Sequence, residues 1–280
     1  YDTMHGYVSI IEGAAQVKGR AALDWMCKKE LGYGKVNRKP HLVADLYEDD
    51  PEFLLAYNIW DCEAASRAVE AIDMLEFHAS LCDYHGTGLG SLGSPKKMII
   101  SMLQHRLKSK QVLPTLKRRN EGIEGGFVAD APIVLEEKMF EIDLSKEYPS
   151  VIMTMNMGLR THVPDLREII DVDYDQPIAN LREYEEIYPD KEFKPNIKVT
   201  IAPTSGNCYR FDTESLVASV LKEMATERDS IREEMFIAEK FSHEWRVLNN
   251  QQIARKISMN SWYGVLAQVY PEIGGDITDI

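Results

Sequence analysis

The sequence predicts a multi-domain α+β protein, on three observations. Short strand and helix patterns alternate over residues 1–85, a stretch with a period of two lies within residues 138–155, and two long helical patterns follow residue 212. A period of two is typical of a strand with one buried face, and a period near 3.6 is typical of an amphipathic helix. A chain of 280 residues has room for one large domain or two to three small ones.

Composition and charge exclude several classes of protein. Hydrophobic residues make up 44% of the chain, and no apolar run approaches the ~20 residues that span a bilayer, so we expect no membrane association. The four cysteines form no C-x-x-C pair and the seven histidines are scattered. This pattern predicts reduced thiols in a cytoplasmic protein rather than disulfides or a zinc site. The net charge of −13 argues against indiscriminate binding to nucleic acid.

The first region carries one candidate pair of functional side chains. Residues 8–11 are apolar enough for a strand, and residues 19–31 have helical spacing. Residues 54–76 carry an apolar stripe that predicts a long helix. Within this helix Tyr57 and Asp61 are four positions apart and share a face, which fits either a surface Tyr–Asp pair or a functional carboxylate.

A glycine-rich stretch at residues 85–97 contains a literal G-x-G-x-x-G at Gly88, Gly90 and Gly93. A dinucleotide fingerprint should follow a strand and open a helix. Here a helical pattern precedes the glycines and Ser94-Pro95 follows them. The sequence therefore favours an inter-domain connection, with a dinucleotide-dependent enzyme as the alternative.

A basic run follows this stretch. Residues 96–120 contain no acidic residue, which in so acidic a chain marks a candidate track for a phosphate backbone. A solvated basic face is the alternative interpretation. The basic residues of the run are Lys96, Lys97, Arg106, Lys108, Lys110, Lys117, Arg118 and Arg119.

The period-two stretch leads to a candidate metal ligand. Residues 140–144 predict a strand that stops at residues 145–147, and Pro149 is expected to prevent a smooth continuation as a helix. Asp143 would then lie at a strand end beside free backbone amides. A carboxylate there can hold a divalent metal while the amides hold the anionic ligand of that metal. A solvated turn residue is the alternative.

Two long helices are predicted after residue 212, the first with a cap at residues 211–213 and the second over residues 251–263. Helices joined by a short link pack antiparallel. Arg228 and Arg232 share one face of the first helix. In the alternative interpretation these arginines pair with Glu227 and with Glu233 or Glu234 on an exposed helix.

The second helix carries its own one-sided set of residues, which comprises Lys256, Asn260, Tyr263 and Gly264. If this face meets the face with the two arginines, three cations line one groove beside an aromatic ring. Such an arrangement suits a triphosphate, with the ring stacked on a base.

Four motifs in this sequence resemble those of family B DNA polymerases, in the order of that family. KISMNSWYG at residues 256–264 resembles motif B, K-x-x-x-N-S-x-Y-G. DLSKEYPS at residues 143–150 resembles motif A, D-x-x-S-L-Y-P-S. YNIWD at residues 57–61 resembles the third exonuclease motif, and IEGG at residues 123–126 resembles the Y-x-G-G linker element.

The resemblance implies a division of the chain into four parts. Residues 1–95 would be the C-terminal part of a ribonuclease-H-like 3′–5′ exonuclease domain. Residues 96–212 would form the linker and the N-terminal part of a palm. Residues 213–264 would form a two-helix antiparallel fingers hairpin with motif B, and residues 265–280 a return to the palm.

The resemblance also implies roles for single residues. Asp143 would be one of two palm carboxylates that hold a catalytic Mg²⁺ pair, and Asp61 a metal-binding carboxylate of the proofreading site. The implied nucleotide-binding residues are Lys146 and Glu147 through their amides, the steric gate Tyr148, and Arg228, Arg232, Lys256, Asn260, Tyr263 and Gly264. The implied DNA-binding residues are Lys108, Lys110, Lys117, Arg118, Arg119, Gly125 and Gly126.

Several departures from the family pattern bear on activity. Lys146 and Glu147 stand where the family has Ser-Leu, Arg232 stands where Lys is usual, and Ile123 replaces the linker Tyr. No D-T-D motif C, which supplies the second palm carboxylate, follows motif B. We therefore expect these residues alone neither to polymerise nor to degrade DNA.

The resemblance implies that the complete protein works on primer-template DNA with dNTPs, in an archaeal, bacterial or viral setting. The rest of the palm and the thumb would lie on the same chain or on a second polypeptide. A non-catalytic DNA-binding subunit of a split polymerase, or a decayed remnant, is the alternative.

Overall fold

Two compact units divide the chain in a computed structural model. Unit 1 comprises Tyr1–Gln111 and Ile231–Ala254, and unit 2 comprises Val112–Ser230 and Arg255–Ile280. The residues that the structure describes are 3–10, 22–36, 43–107, 140, 146–158 and 160–269.

The described N-terminal part of unit 1 is helical. The strand predicted at residues 8–11 is wrong over residues 8–10, which end the first helix. Short apolar runs fit a strand and a buried helix equally well, and here the helix wins. The helices are α1 (Thr3–Ile10), α2 (Leu23–Glu30), α3 (Val43–Asp49), α4 (Pro51–Ala71), α5 (Met74–His85) and α6 (Pro95–Leu107).

A small core joins four of these helices. Tyr7 of α1 is fully buried with Met26 of α2, Ala68 of α4 and Met74 of α5. The Tyr7 hydroxyl donates a hydrogen bond of 2.7 Å to Glu30 Oε1, so burial of the ring leaves its polar atom satisfied. Burial and this hydrogen bond raise the pKa of Tyr7.

The single helix predicted over residues 54–76 is two helices. Asp50 begins α4 by accepting a hydrogen bond of 3.0 Å from the backbone N–H of Phe53. The helix is interrupted before Asp73, which has a left-handed φ of 48°. The apolar stripe continues across this interruption because both helices contribute to the core of unit 1. Periodicity alone therefore did not predict the interruption.

A tight turn ends α5 before the glycine-rich stretch. Gly86 has a φ of 62°, and a Cβ at this position would lie 2.4 Å from Nδ1 of His105, so glycine is required twice over. A 3₁₀ turn at Leu89–Ser91 lies inside the G-x-G-x-x-G pattern. The helical context predicted before these glycines is confirmed, so they do not follow a strand as a dinucleotide fingerprint does.

Unit 2 contains α7 (Glu147–Thr154), which begins directly after Lys146. The expectation that Pro149 prevents a helix is wrong. Pro149 lies in the first turn, where backbone N–H groups have no intrahelical partner, so its missing N–H costs nothing. The predicted strand at residues 140–144 lies outside the described residues, apart from Phe140.

Beyond α7 the chain is largely irregular, as predicted for residues 156–212. It forms a small antiparallel sheet with the order β1-β3-β2, in which β1 is His162–Val163, β2 is Val199–Ile201 and β3 is Cys208–Arg210. A 3₁₀ turn (Leu166–Glu168) and α8 (Leu181–Ile187) accompany the sheet. The buried residues of this substructure are Val163, Leu166, Ile169, Ile170, Ile178, Tyr184 and Cys208.

The two long helices predicted after residue 212 are α9 (Leu216–Ile237) and α10 (His243–Val269). The cap predicted at residues 211–213 is wrong, because Ser215 Oγ accepts from the backbone N–H of Ala218 at 3.2 Å. α10 begins before the predicted residue 251, since Ser242 Oγ accepts from the N–H of Trp245 at 3.1 Å and so caps it. The first turns of α10 are polar, so the hydrophobic pattern did not indicate that the helix begins there.

One buried asparagine ties the end of α7 to the start of α9. Asn156, which is 5% exposed, has a left-handed φ of 57°. Its amide group donates to the carbonyls of Arg210 and Thr213 at 2.8 and 2.9 Å. Its carbonyl oxygen accepts from the backbone N–H of Ser215 at 2.9 Å. The side chain therefore fixes where α9 begins.

Replacing Asn156 should destabilise unit 2. Asn156→Ala removes all three hydrogen bonds from a buried site, and we expect the free energy of unfolding to fall by about 2–4 kcal/mol, because each buried group left unpaired costs about 1–3 kcal/mol. Asn156→Gly, which tolerates the left-handed φ, should still lose most of this amount. Urea denaturation followed by circular dichroism measures the change.

The matched control is Asn58→Ala, on the exposed face of α4, for which we expect a change within about 0.5 kcal/mol. Equal stabilities of the Asn156→Ala and Asn58→Ala variants would contradict the role given to Asn156.

Candidate functional site

The turn that begins α7 presents backbone amides next to the motif A residues. Lys146 occupies the N-cap position with a φ of 59° and makes no side-chain cap hydrogen bond. Glu147 and Tyr148 follow in the first turn and are exposed. N–H groups in a first helical turn lack intrahelical acceptors and favour anions, so this turn can bind phosphate oxygens.

An aromatic stack joins α7 to α10. The rings of Tyr148 and Tyr263 lie with their centroids 4.5 Å apart and their planes 18° apart. The Tyr148 side chain remains 41% exposed. The stack therefore brings the motif A and motif B segments together within unit 2 and leaves a ring accessible at their junction.

α10 has one buried and one accessible face, in the register that the sequence predicted. Lys256 and Asn260 are exposed, and Tyr263 and Gly264 are half-buried. The opposite face is anchored in unit 2, with Trp262 fully buried. The buried residues of this face are Ser258, Met259, Trp262 and Val265.

Two ion pairs connect α9 to other parts of unit 2. Arg255 Nε of α10 lies 2.9 Å from Glu227 Oε2, so the middle of α10 lies beside the middle of α9. Lys146 Nζ lies 3.0 and 3.1 Å from the two carboxylate oxygens of Asp229. Arg228, between these two acidic residues in the sequence, is half-buried. Arg232, one turn later on α9, is exposed and belongs to unit 1.

Unit 1 carries a separate candidate site on α4. Lys35 Nζ lies 2.6 Å from Asp61 Oδ2 and 5.1 Å from the ring centroid of Tyr57. Burial acts to lower the pKa of Lys35, but hydrogen bonds to Asp61 and Tyr57 outweigh it, so that the pKa is raised. Tyr57 and Asp61 thus share a face, as predicted, and share one cation.

The second oxygen of Asp61 fits a cation ligand. Asp61 Oδ1 is buried and has no hydrogen-bond partner in the structure. A buried carboxylate oxygen without a donor is costly, and a bound cation would satisfy it. Within the part of the chain that the structure describes, no group of three or more His, Cys, Asp or Glu residues is placed to hold a metal ion.

Several predicted site residues lie outside the described residues. They are the metal ligand Asp143 and the DNA-binding set Lys108, Lys110, Lys117, Arg118, Arg119, Gly125 and Gly126. Of the basic run, Lys96 and Lys97 are exposed in the first turn of α6 and Arg106 is half-buried in its last turn.

Comparison with known proteins decides the family. The family model described as DNA polymerase family B matches residues 91–271, which is more than half of the chain. The chain belongs to DNA polymerase family B. The match includes the motif A and motif B segments that meet at the tyrosine stack.

Individual relatives agree with this family. The catalytic subunits of DNA polymerase delta from Dictyostelium discoideum and from Oryza sativa subsp. japonica are each 24% identical, over 80% and 84% of this chain. The chain spans only 19% and 20% of the length of these relatives.

A solved structure has the same fold. The family B DNA polymerase from the hyperthermophilic archaeon Pyrobaculum calidifontis matches 92% of this chain and 32% of its own, with a TM-score of 0.63 and 22% identity. The α+β class predicted from the sequence is thereby confirmed, in a structure that is rich in helices.

Three residues of the site were not predicted. Lys35, Asp229 and Arg255 each supply one member of an ion pair with a residue near a motif. Arg255 directly precedes Lys256, and Asp229 directly follows Arg228, so their sequence positions were a usable signal. Lys35 lies 26 positions before its partner (61 − 35), and nothing in the sequence indicated that contact.

Among the described residues, no helix of this family B chain is both long and apolar enough to cross a membrane.

The tyrosine stack should contribute measurably to stability. Aromatic pairs contribute about 0.5–1.5 kcal/mol beyond area burial. In a double-mutant cycle of Tyr148→Leu and Tyr263→Leu, we expect a coupling of about 1 kcal/mol in the free energy of unfolding. The Tyr148→Phe variant keeps the ring and should keep the coupling. Additive effects of the two Leu substitutions would show that the rings do not interact.

Proposed function

We propose that the protein containing this chain carries out template-directed DNA synthesis, by nucleotidyl transfer from a dNTP to a primer 3′-hydroxyl. The observation that carries the proposal is the stack of Tyr148 on Tyr263. It joins two motif segments whose neighbouring residues suit the two halves of a nucleotide, the triphosphate and the base.

The triphosphate would be bound by cations and backbone amides. Lys256 lies exposed on α10, and Arg228 and Arg232 lie on α9. Each charge-assisted hydrogen bond to a phosphate oxygen contributes about 1.5–3 kcal/mol. The amides of Glu147 and its neighbours at the start of α7 would hold further phosphate oxygens.

The sugar and base would meet the aromatic part of the site. Tyr148 would serve as the steric gate against a ribose 2′-hydroxyl. Asn260, Tyr263 and Gly264 would shape the space for the nascent base pair. The exposed edge of the stack supports this assignment, because a stacked ring held by a second ring is a rigid wall.

Divalent metals are the usual cofactors of family B DNA polymerases. Asp143 would hold Mg²⁺ together with a second palm carboxylate that these residues do not include. When bound, the metal pair would activate the primer hydroxyl and neutralise charge on the leaving pyrophosphate. For lack of that second carboxylate, the residues of this chain alone would not polymerise DNA.

Proofreading would use unit 1. Asp61 would be a metal-binding carboxylate of a 3′–5′ exonuclease site, and its buried Oδ1 without a partner supports a cation there. Residues 1–95 would form the end of that exonuclease domain. Residues 96–212 would be linker and palm, 213–264 the fingers, and 265–280 a return to the palm.

Primer-template DNA would run along the basic segment. The lysines and arginines of residues 108–119 and the glycine pair at residues 125–126 would contact its phosphates. The described residues offer no observation in favour of a second polypeptide.

The test is primer extension by the complete polymerase that carries this chain. Asp143→Asn should lower the rate more than about a hundredfold, because a metal at the transferring phosphate supplies several kcal/mol. Asp173→Asn, an exposed aspartate of unit 2, is the matched control and should leave the rate unchanged. A wild-type protein that extends no primer, or equal rates for the two variants, would contradict the proposal.

A further inference from the structure

Lys146 and Asp229 form a two-pronged ion pair inside the proposed nucleotide site. The ammonium group contacts both carboxylate oxygens, at 3.0 and 3.1 Å. The side chains are 23% and 54% exposed, respectively. The pair links the turn that begins α7 to α9, and both residues belong to unit 2.

The carboxylates on either side of Arg228 both have cations supplied by other segments. Glu227 is paired with Arg255 of α10 at 2.9 Å, and Asp229 is paired with Lys146. Each acidic residue therefore has a counter-charge from another segment of unit 2. Without these partners, two negative charges would flank a guanidinium group that is proposed to bind a triphosphate, and they would repel that ligand.

We propose that Lys146 is a positioning residue for nucleotide binding, which acts by neutralising Asp229 beside the incoming triphosphate. The inference rests on the proposed function and adds a role to the Lys146 side chain, where the motif resemblance implies only a role for its backbone amide. It also accounts for Lys146 standing at the position that is Ser in the family motif: the lysine is matched to the acidic residue on α9.

The backbone conformation of Lys146 allows the loss of the ammonium group to be tested without a change in backbone strain. Its φ of 59° is strained for any residue with a Cβ. Lys146→Met keeps the Cβ and most of the side-chain length, so the strain stays the same and only the ammonium is lost. Lys146→Arg keeps the charge.

The experiment is steady-state single-nucleotide incorporation by the complete polymerase, with KM for the dNTP and kcat measured separately. Lys146→Met should raise KM about tenfold with kcat changed less than about twofold, the order expected for one uncompensated charge near a triphosphate. Asp229→Asn should not raise KM. The double variant Lys146→Met/Asp229→Asn should return KM to within about twofold of wild type.

Salt dependence gives a second readout that a structural role would not move. The effect of Lys146→Met on KM should be large at about 0.05 M salt and nearly vanish at about 0.5 M, because screening lengths shorten over this range. Lys194→Met, which breaks the exposed pair with Glu192, is the matched control and should leave KM unchanged at both concentrations.

Each other outcome overturns the inference. If the double variant has the same raised KM as Lys146→Met, the ammonium group itself binds phosphate. A rise in KM accompanied by an equal fall in kcat at every salt concentration would mean a structural defect. An active wild type with no effect of Lys146→Met would overturn this inference alone, whereas an inactive wild type would overturn the proposed function.

Discussion

The contact between Tyr148 and Tyr263 is the interaction that joins the two motif segments of unit 2. It is the point where the turn that begins α7 meets the accessible face of α10. Asn156 fixes the other end of α7 to the start of α9, so three segments distant in sequence are held by one stack and one buried amide. Trp262 is fully buried on the opposite face of α10, so its packing fixes the rotation of this helix in unit 2.

A strongly acidic chain that is proposed to bind a polyanion needs its positive charge placed locally. The net charge is −13, yet each carboxylate next to Arg228 has a nearby cation in the structure, and so does Asp61 on α4. Surface ion pairs contribute little to stability. Their consequence in unit 2 is electrostatic: the pairs of Glu227 with Arg255 and of Asp229 with Lys146 offset the two negative charges next to Arg228, and Lys256 stays exposed.

The sequence predicted the parts of the site that follow local rules. Helical periodicity placed Lys256, Asn260 and Tyr263 on one face, and the structure agrees because that face is opposite the buried Trp262. Helical periodicity failed where tertiary contacts decide the helix boundaries. The interruption at Asp73 lies inside a continuous apolar stripe, and the start of α10 near Ser242 lies in polar sequence. The partnership of Lys146 with Asp229 joins residues 83 positions apart, and no periodicity reports such a pairing.

The exposed face of α10 is proposed to bind the incoming nucleotide. The most direct measurement is the dissociation constant of a dNTP from the complete polymerase on a template with a dideoxy-terminated primer. Replacing Lys256 by Ala should raise this constant about tenfold or more, since a charge-assisted contact of about 1.5–3 kcal/mol is lost. Lys222→Ala, on an exposed position of α9, should leave it unchanged. Equal constants for the two variants would contradict the account.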